Sequence, residues 1–254
     1  MTADEYVNSI VNKYKLPQTI SQEMQTKLAS PLSRIINNWA GDCLNEIQIS
    51  GSRAKGTAIS ISTDLDLFIS LKSSTTSTLK EIYDSLYNSL ISNKITARKQ
   101  NVSIGVNYAG YDVDLVPAKR QDNYSNDYSL YRNKANTWTK TNVVTHINTV
   151  KNSNRITEII AVKIWRERFS LDFPSMYLEL TVIEALKGKH SSQPANNFMT
   201  VLDYLSNNFL SKTVYDPANT NNVISNDLHK YEKEKIVEQA KESRKASLWG
   251  KIIW

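Results

Sequence analysis

The sequence contains few of the residues that cross-link or disorder a chain. Its single cysteine, Cys43, excludes a disulfide framework and a cluster of thiolate metal ligands. The 3 histidines lie too far apart in the chain for the usual spacing of zinc ligands. Only 7 glycines and 6 prolines occur among 254 residues, which excludes collagen-like and low-complexity sequences. We therefore expect a globular protein that is stabilised by an ordinary apolar core.

Long apolar runs are also missing. No stretch approaches the roughly 20 residues that a membrane-spanning helix needs. The first residues, Met1–Glu5, carry no apolar stretch of the kind found in signal peptides. We therefore expect a cytoplasmic protein that does not insert into a membrane. The net charge of +6 is compatible with a polyanionic partner such as a nucleotide or nucleic acid, and equally with a solvated surface.

The spacing of apolar residues predicts different structures in the two halves of the chain. Residues 1–142 alternate between helical and strand-like patterns, except that 119–142 show no clear period and are predicted to form a long ordered loop. The other predicted elements of this half are two helices within 1–40, strands from Glu46 and over Leu65–Leu71, a helix around 82–90, and a hairpin of 96–108 with 111–118.

The second half, residues 143–254, is predicted to be helical. The helical stretches are Val143–Val150, Ile156–Phe169, Ser175–Leu186, Phe198–Phe209 and Asp227–Ala246. The fold class is therefore predicted to be α+β, with a mixed sheet and helices in residues 1–142 packed on a helical lobe formed by 143–254.

Carboxylates alternate with apolar residues on two of the predicted strands. Asp64 and Asp66 project from the same face of one strand, and Asp112 and Asp114 share a face of another. Paired carboxylates of this kind suit Mg²⁺, which prefers oxygen ligands and also binds substrate phosphates. One such strand is most simply a solvent-facing edge, but two of them indicate a site.

Gly51 and Ser52 precede the first of these carboxylates by 13 and 12 residues. Glycine permits a tight turn and a close approach of the backbone to phosphate. The Ser52 hydroxyl and successive backbone N–H groups can donate to phosphate oxygens. A Gly-Ser turn is common, so its significance here comes from its position before Asp64.

Together these segments resemble the DNA polymerase β-like nucleotidyltransferase superfamily. Within it, the chain is most similar to the branch of bacterial cGAS/DncV-like and oligoadenylate-synthetase-like enzymes and the archaeal-type CCA-adding enzymes. The resemblance spans roughly residues 45–245 and includes segments of the helical half. The matching segments are Gly51-Ser52-x-x-Lys55-Gly56-Thr57, Asp64-x-Asp66, Val113–Ala118, Lys163–Arg166, Phe173–Glu179 and Asp216–Val223.

The resemblance implies a set of site residues and cofactors. Asp64, Asp66 and Asp114 would bind two Mg²⁺ ions, with Mn²⁺ as a possible substitute, and Asp114 would activate the acceptor hydroxyl. Gly51 and Ser52 would hold the phosphates of the nucleotide. The implied reaction is attack of a hydroxyl on an α-phosphate with release of pyrophosphate, at a site between two lobes.

Lys163 stands out on the predicted helix because it continues a stripe of isoleucines, Ile156, Ile159 and Ile160. An ammonium there needs water or an anion. The resemblance implies that Lys163 binds the triphosphate. It could also reach water past the stripe or pair with Glu179. Ser175 could join Lys163 in binding phosphate, or simply cap the next helix.

Three functions remain open on the sequence. The first is template-independent joining of NTPs or dNTPs into a cyclic or short linear oligonucleotide, an anti-phage defence signal that acts on an effector protein, which could be membrane-bound. A Hailong-type enzyme that makes short DNA oligomers is one version. The second is a CCA-like nucleotidyltransferase acting on RNA 3′ ends. The third is a catalytically silent nucleotide-binding module that regulates a partner.

Overall fold

The structure, a computed structural model, describes residues 1–62 and 64–254. The chain forms two compact units. The sheet unit comprises Pro17–Ala54 and Thr63–His146, and the helical unit comprises Met1–Leu16, Lys55–Ser62 and Ile147–Trp254. The last boundary along the chain falls between His146 and Ile147. The helical unit also takes in two segments from the first half of the chain, because Val7, Val11 and Ile59 belong to its apolar core.

In the described part of the sheet unit, seven strands form one sheet. They are β1 Leu44–Ile49, β2 Leu65–Leu71, β3 Ala97–Lys99, β4 Ile104–Tyr108, β5 Tyr111–Arg120, β6 Tyr128–Arg132 and β7 Thr137–Thr141. Their order is β1-β2-β5-β4-β3, and β6 pairs with both β5 and β7. β2 and β5 are parallel and the other pairs are antiparallel, so the sheet is mixed as predicted.

Three helices of the sheet unit pack on one apolar face of the sheet. They are α2 Gln22–Met24, which continues through a π-helical turn into α3 Ser30–Ala40, and α5 Leu79–Ser92. The short helix α4 Gly51–Lys55 also lies in this unit, except for its last residue, which belongs to the helical unit. Leu65 and Leu67 of β2, Val113 of β5 and Leu86 of α5 belong to one buried cluster. The alternation along β2 and β5 therefore places Asp66 and Asp114 on the opposite face, which we call the polar face although it also carries the buried Phe68.

The first strand of the predicted hairpin, 96–108, is interrupted and forms two strands. β3 ends at Lys99 and β4 begins at Ile104, and the backbone N–H of Gln100 donates to the carbonyl of Ser103 across the turn. The return turn at Ala109 and Gly110 has positive φ at both residues, as a type I′ turn requires.

The prediction of a loop over 119–142 was wrong. β6 and β7 form an antiparallel hairpin there, with Tyr131 opposite Trp138. Tyr128, Leu130 and Tyr131 are buried. The apolar residues of this segment are adjacent rather than strictly alternating, which hid the strand period.

The helical unit is built around one helix that is buried on most sides. Its helices are α1 Ala3–Tyr14, α6 Val143–Lys151, which begins in the sheet unit, α7 Ile156–Arg168, α8 Ser175–Ala185, α9 Pro194–Asn207 and α10 Lys230–Lys245. A short hairpin is formed by β8 Tyr215–Asp216 and β9 Asn219–Val223. α7 contacts α1, α8 and α9. This explains why α7 carries buried residues all round rather than along one stripe.

None of the helices over 1–62 and 64–254 has both the length and the apolar character that crossing a membrane would need.

Candidate active site

Asp66 and Asp114 are register partners on two neighbouring strands. β2 and β5 run parallel, and Asp66 is paired with Asp114 just as Leu67 is paired with Leu115. Register partners on adjacent strands lie about 4.8 Å apart and project to the same face. Since Leu67 and Leu115 are buried in the apolar core, the two carboxylates lie on the polar face.

Asp64 and Asp112 lie at the same end of these strands. Asp64 immediately precedes β2 and is exposed, and Asp112 is exposed near the start of β5. Asn107 of β4 donates a hydrogen bond to Asp112 Oδ1 at 3.2 Å. The structure thus gives Asp112 a local polar partner, whereas Asp114 lies one pleat further into the sheet and is half-buried.

The pKa of the Asp114 carboxyl reflects its burial first and the negative charges near it second. Burial raises the pKa of the Asp114 carboxyl above its ordinary value, and the charges of Asp64 and Asp112 raise it further. A hydrogen bond from the Gln100 side chain and the charge of Arg98 act in the opposite direction. A bound cation would relieve this repulsion.

Gly51 packs directly against the Asp66 carboxylate. Its φ is +58°, in the left-handed region, and a Cβ built on it would overlap Asp66 Oδ2. The backbone N–H of the preceding residue, Ser50, donates to the Asp66 carbonyl at 2.9 Å. The predicted tight turn is in fact the start of the short helix α4, and Ser52 is its second residue.

The donor set fits a hard divalent cation in its chemistry. Asp64, Asp66 and Asp114 provide carboxylate oxygens, which are the ligands that Mg²⁺ prefers. In the described part of the chain, however, no three His, Cys, Asp or Glu side chains are grouped so as to hold a metal ion.

Two residues that the sequence pattern did not indicate lie beside Asp114. They are Arg98 on β3 and Gln100 just after it, both of which act on the Asp114 carboxyl. The only available signal was the hairpin that brings β3 alongside β4. Polar residues on a short edge strand give no indication of function by themselves.

Lys163 belongs to a buried polar network in the helical unit. Its Nζ donates to Glu179 Oε1 at 2.7 Å and to Thr57 Oγ1 at 2.9 Å. Lys55 Nζ donates to the other Glu179 oxygen at 2.5 Å, and Thr57 Oγ1 donates to Glu179 Oε1 at 2.8 Å. Lys163 is 2% exposed and Glu179 is 0% exposed, so Lys163 pairs with Glu179 and does not reach water past the stripe.

Two cations therefore face one carboxylate away from solvent. Burial lowers the pKa of Lys163 to about 8, although the charge of Glu179 opposes this effect. Burial alone would raise the pKa of Glu179, but the charges of Lys55 and Lys163 outweigh it and hold the pKa at about 2. Glu179 is therefore ionised at neutral pH. The triphosphate-binding role of Lys163 stays a prediction.

Ser175 is the first residue of α8, and Pro174 occupies the N-cap position. The expectation that Ser175 caps this helix was therefore wrong, because the extended backbone before the helix belongs to the proline. Ser175 Oγ accepts a hydrogen bond from Arg166 Nη1 at 3.1 Å, and the Phe173 carbonyl accepts one at 2.9 Å. A phosphate-binding role for Ser175 stays a prediction.

The chain also matches the model of a known protein family. The SMODS family, the Second Messenger Oligonucleotide or Dinucleotide Synthetase domain, matches residues 1–154. The chain belongs to this family. Among curated protein sequences, none matches the chain.

Solved structures share the fold of this SMODS chain. E. coli MS115-1 CdnC with ATP has a TM-score of 0.75 at 18% identity, covering 95% of this chain and 90% of that one. The Elizabethkingia meningoseptica CdnE cyclic dinucleotide synthase with GTP and Apcpp has a TM-score of 0.70 at 12% identity, covering 97% and 100%. The Cid1 poly(U) polymerase has a TM-score of 0.66 at 13% identity, covering 95% and 93%.

These matches confirm the predicted nucleotidyltransferase resemblance and the α+β fold class. The SMODS chain is a nucleotidyltransferase of the kind that makes oligonucleotide or dinucleotide signals.

Proposed function

We propose that this chain is a template-independent, Mg²⁺-dependent nucleotidyltransferase that joins NTPs or dNTPs into a cyclic or short linear oligonucleotide. The product serves as an anti-phage defence signal in the bacterial cytoplasm. The observation that supports this most directly is the register pairing of Asp66 with Asp114, with Asp64 at the same end of the strands. The SMODS family match gives the class of product.

In this proposal, Asp114 accepts the proton of the acceptor hydroxyl. The hydroxyl oxygen then forms a bond to the α-phosphorus, and the bond from the α-phosphorus to the bridging oxygen breaks, so that pyrophosphate leaves. Gly51 and Ser52, at the start of α4, hold the phosphates. The protein contributes mainly positioning and charge neutralisation, because phosphoryl transfer needs little covalent chemistry from side chains.

Asp64, Asp66 and Asp114 would hold the metal ions. Such ions neutralise charge on the transferring phosphate and hold the attacking and leaving oxygens. Two ions are proposed because the family resemblance implies two, and a pair of ions can hold the attacking oxygen and the leaving oxygen together. Lys163 and Ser175 are kept as proposed triphosphate contacts, although each has polar partners within the helical unit.

A protein partner is also proposed. CdnC has been solved in complex with HORMA-deltaN. By analogy, an effector or regulatory protein would respond to, or control, this chain. The analogy rests on shared fold alone.

The deciding experiment is incubation of the purified chain with each NTP and dNTP and Mg²⁺, followed by mass spectrometry. We expect pyrophosphate and small soluble oligonucleotides, and neither from an Asp114→Asn protein purified in the same way. Addition of EDTA should stop the reaction. Extension of added RNA 3′ ends without small products would instead indicate an RNA end-modifying enzyme. No turnover with any nucleotide would indicate a silent nucleotide-binding module and overturn the proposal.

A further inference from the structure

One row of residues crosses four strands of the sheet on its polar face. Asp66 on β2 pairs with Asp114 on β5, Asp114 pairs with Gly105 on β4, and Gly105 pairs with Arg98 on β3. Register partners project to the same face in both parallel and antiparallel pairs. The row therefore holds two carboxylates, a position without a side chain, and a guanidinium.

Because Gly105 has no side chain, there is room above it for the side chains of Arg98 and Gln100 to extend toward Asp114. A Cβ built on Gly105 would lie 2.7 Å from Gln100 Nε2 and 2.8 Å from Arg98 Nε. Both side chains therefore extend over the Gly105 backbone, toward the strand that carries Asp114. Any larger residue at position 105 would displace them.

The orientation of the Gln100 amide is fixed from its other end. Ser103 Oγ donates a hydrogen bond to Gln100 Oε1. The donor end, Nε2, is consequently the end that lies over Gly105. The amide donor of Gln100 therefore lies over the register partner of Asp114, on the face that carries the Asp114 carboxylate.

We propose that Gln100, assisted by Arg98, is a positioning residue that holds the Asp114 carboxylate in its working orientation across the gap at Gly105. The inference rests on the proposed function of Asp114. A carboxylate has two oxygens, so one can accept from Gln100 while the other is presented toward Asp66. Hydrogen-bonding partners of this kind orient metal-ligating groups, and their loss typically lowers metal affinity or activity 10- to 100-fold.

Two variants test the proposal independently. Gln100→Met keeps the length of the side chain but removes the amide donor. Gly105→Ala keeps both Gln100 and Arg98 and only fills the space beneath them. Because the atoms that the new methyl meets belong to the long, flexible side chains of Gln100 and Arg98 and not to backbone, and Gly105 has no positive φ, the sheet should tolerate the alanine.

Each variant should lower kcat by about 10- to 100-fold, with the nucleotide KM unchanged. Each should also weaken Mn²⁺ binding to the nucleotide-free protein by a similar factor, measured by electron paramagnetic resonance. The double variant should be no worse than the single variants, because both remove the same contact. Arg98→Lys should retain more activity than Arg98→Ala, since it keeps the positive charge.

Lys99→Met is the matched control on the same strand. Lys99 points to the opposite face, where its Nζ contacts Asp84 Oδ1 at 2.6 Å. Its loss removes one positive charge from β3, as Arg98→Ala does, and should change neither kcat nor Mn²⁺ binding. If Gln100→Met and Lys99→Met had the same kcat and the same Mn²⁺ affinity, the proposal would be overturned. It would also be overturned if the losses of kcat in the two single variants added up in the double variant.

The result is separable from a failure of the proposed function. If the wild-type protein makes no product, or Asp114→Asn remains active, the assignment of Asp114 itself is wrong. If Asp114→Asn is inactive while Gln100→Met and Gly105→Ala match the wild type, only the positioning role is wrong.

Discussion

Glu179 accepts hydrogen bonds from two buried lysines, Lys163 at 2.7 Å and Lys55 at 2.5 Å. The sequence suggested a single pair between Lys163 and Glu179. The second cation changes the expected energetics, because removal of either lysine still leaves the carboxylate with a partner. Removal of the carboxylate leaves two buried ammonium groups together.

We therefore expect Glu179→Gln to be more destabilising than Lys163→Met. The first should lower the free energy of unfolding by about 3–5 kcal/mol, since it leaves buried charges without a counterion. The second should cost about 1.5–3 kcal/mol, the usual value of a hydrogen bond to a charged group. Urea unfolding of both variants measures the difference, and a larger loss in Lys163→Met would contradict the two-lysine arrangement.

The same Lys163→Met protein tests the proposed triphosphate contact. If Lys163 binds the triphosphate as proposed, the nucleotide-induced rise in melting temperature should be smaller in this variant than in the wild type. An unchanged nucleotide-induced rise, in a variant that still folds, would show that Lys163 serves only its buried contacts with Glu179 and Thr57.

Acid should destabilise the wild type through Glu179. The pKa of Glu179 is about 2 in the folded protein, below the ordinary value of 4.5, so its contribution is present above pH 4.5 and is lost as the pH falls toward 2. The contribution amounts to roughly 3 kcal/mol. Unfolding free energies measured between pH 6 and pH 3 should fall more steeply for the wild type than for Glu179→Gln, and parallel curves would contradict this expectation.

Substitution of the proposed metal ligands should abolish turnover. Asp64→Asn, Asp66→Asn and Asp114→Asn each remove a negative charge needed to hold the cations, while the melting temperature should stay near that of the wild type. Asp112→Asn is the matched control on the same strand face and should retain activity. If the Asp114→Asn protein were active and the Asp112→Asn protein inactive, the metal ligand on β5 would be Asp112 and not Asp114.

Gly51→Ala should damage both stability and activity. Its φ of +58° alone costs an alanine about 1–2 kcal/mol, and the added methyl would also overlap the Asp66 carboxylate. Gly110→Ala is the control, since Gly110 also has a positive φ, +82°, but no atom lies within 4 Å of the added Cβ. Gly110→Ala should lose stability and keep its activity, and equal activities of the two variants would contradict a role for the Gly51–Asp66 contact.

Local patterns predicted most elements with small errors in their ends. The strand Leu65–Leu71 was predicted with the bounds that the structure shows, because its apolar residues are bordered by polar segments. The helix Ile156–Arg168 was predicted to within one residue of its end. The hairpin of β6 and β7 was missed, because the burial of Tyr131 depends on Tyr83 and its neighbours in the same core rather than on a local period.

The candidate site was also predictable only in part, because some of its contacts join segments that are distant in the chain. The pair Asp64 and Asp66 follows from the two-residue period of a strand, which any strand imposes on its own sequence. The alignment of Asp66 with Asp114 depends on the parallel pairing of β2 with β5, and no sequence periodicity specifies that register.

The sequence by itself determined the chemistry available to this protein: hard carboxylates on strands, a Gly-Ser segment before them, and a lysine in an isoleucine stripe. The tertiary structure decided which of these groups act on one another. It placed Gly105 between Asp114 and Arg98, and it gave Glu179 a second lysine from a segment more than a hundred residues away in the chain. Such contacts depend on strand register and on the packing of distant segments, which are settled by the burial of the whole core and not by local pattern.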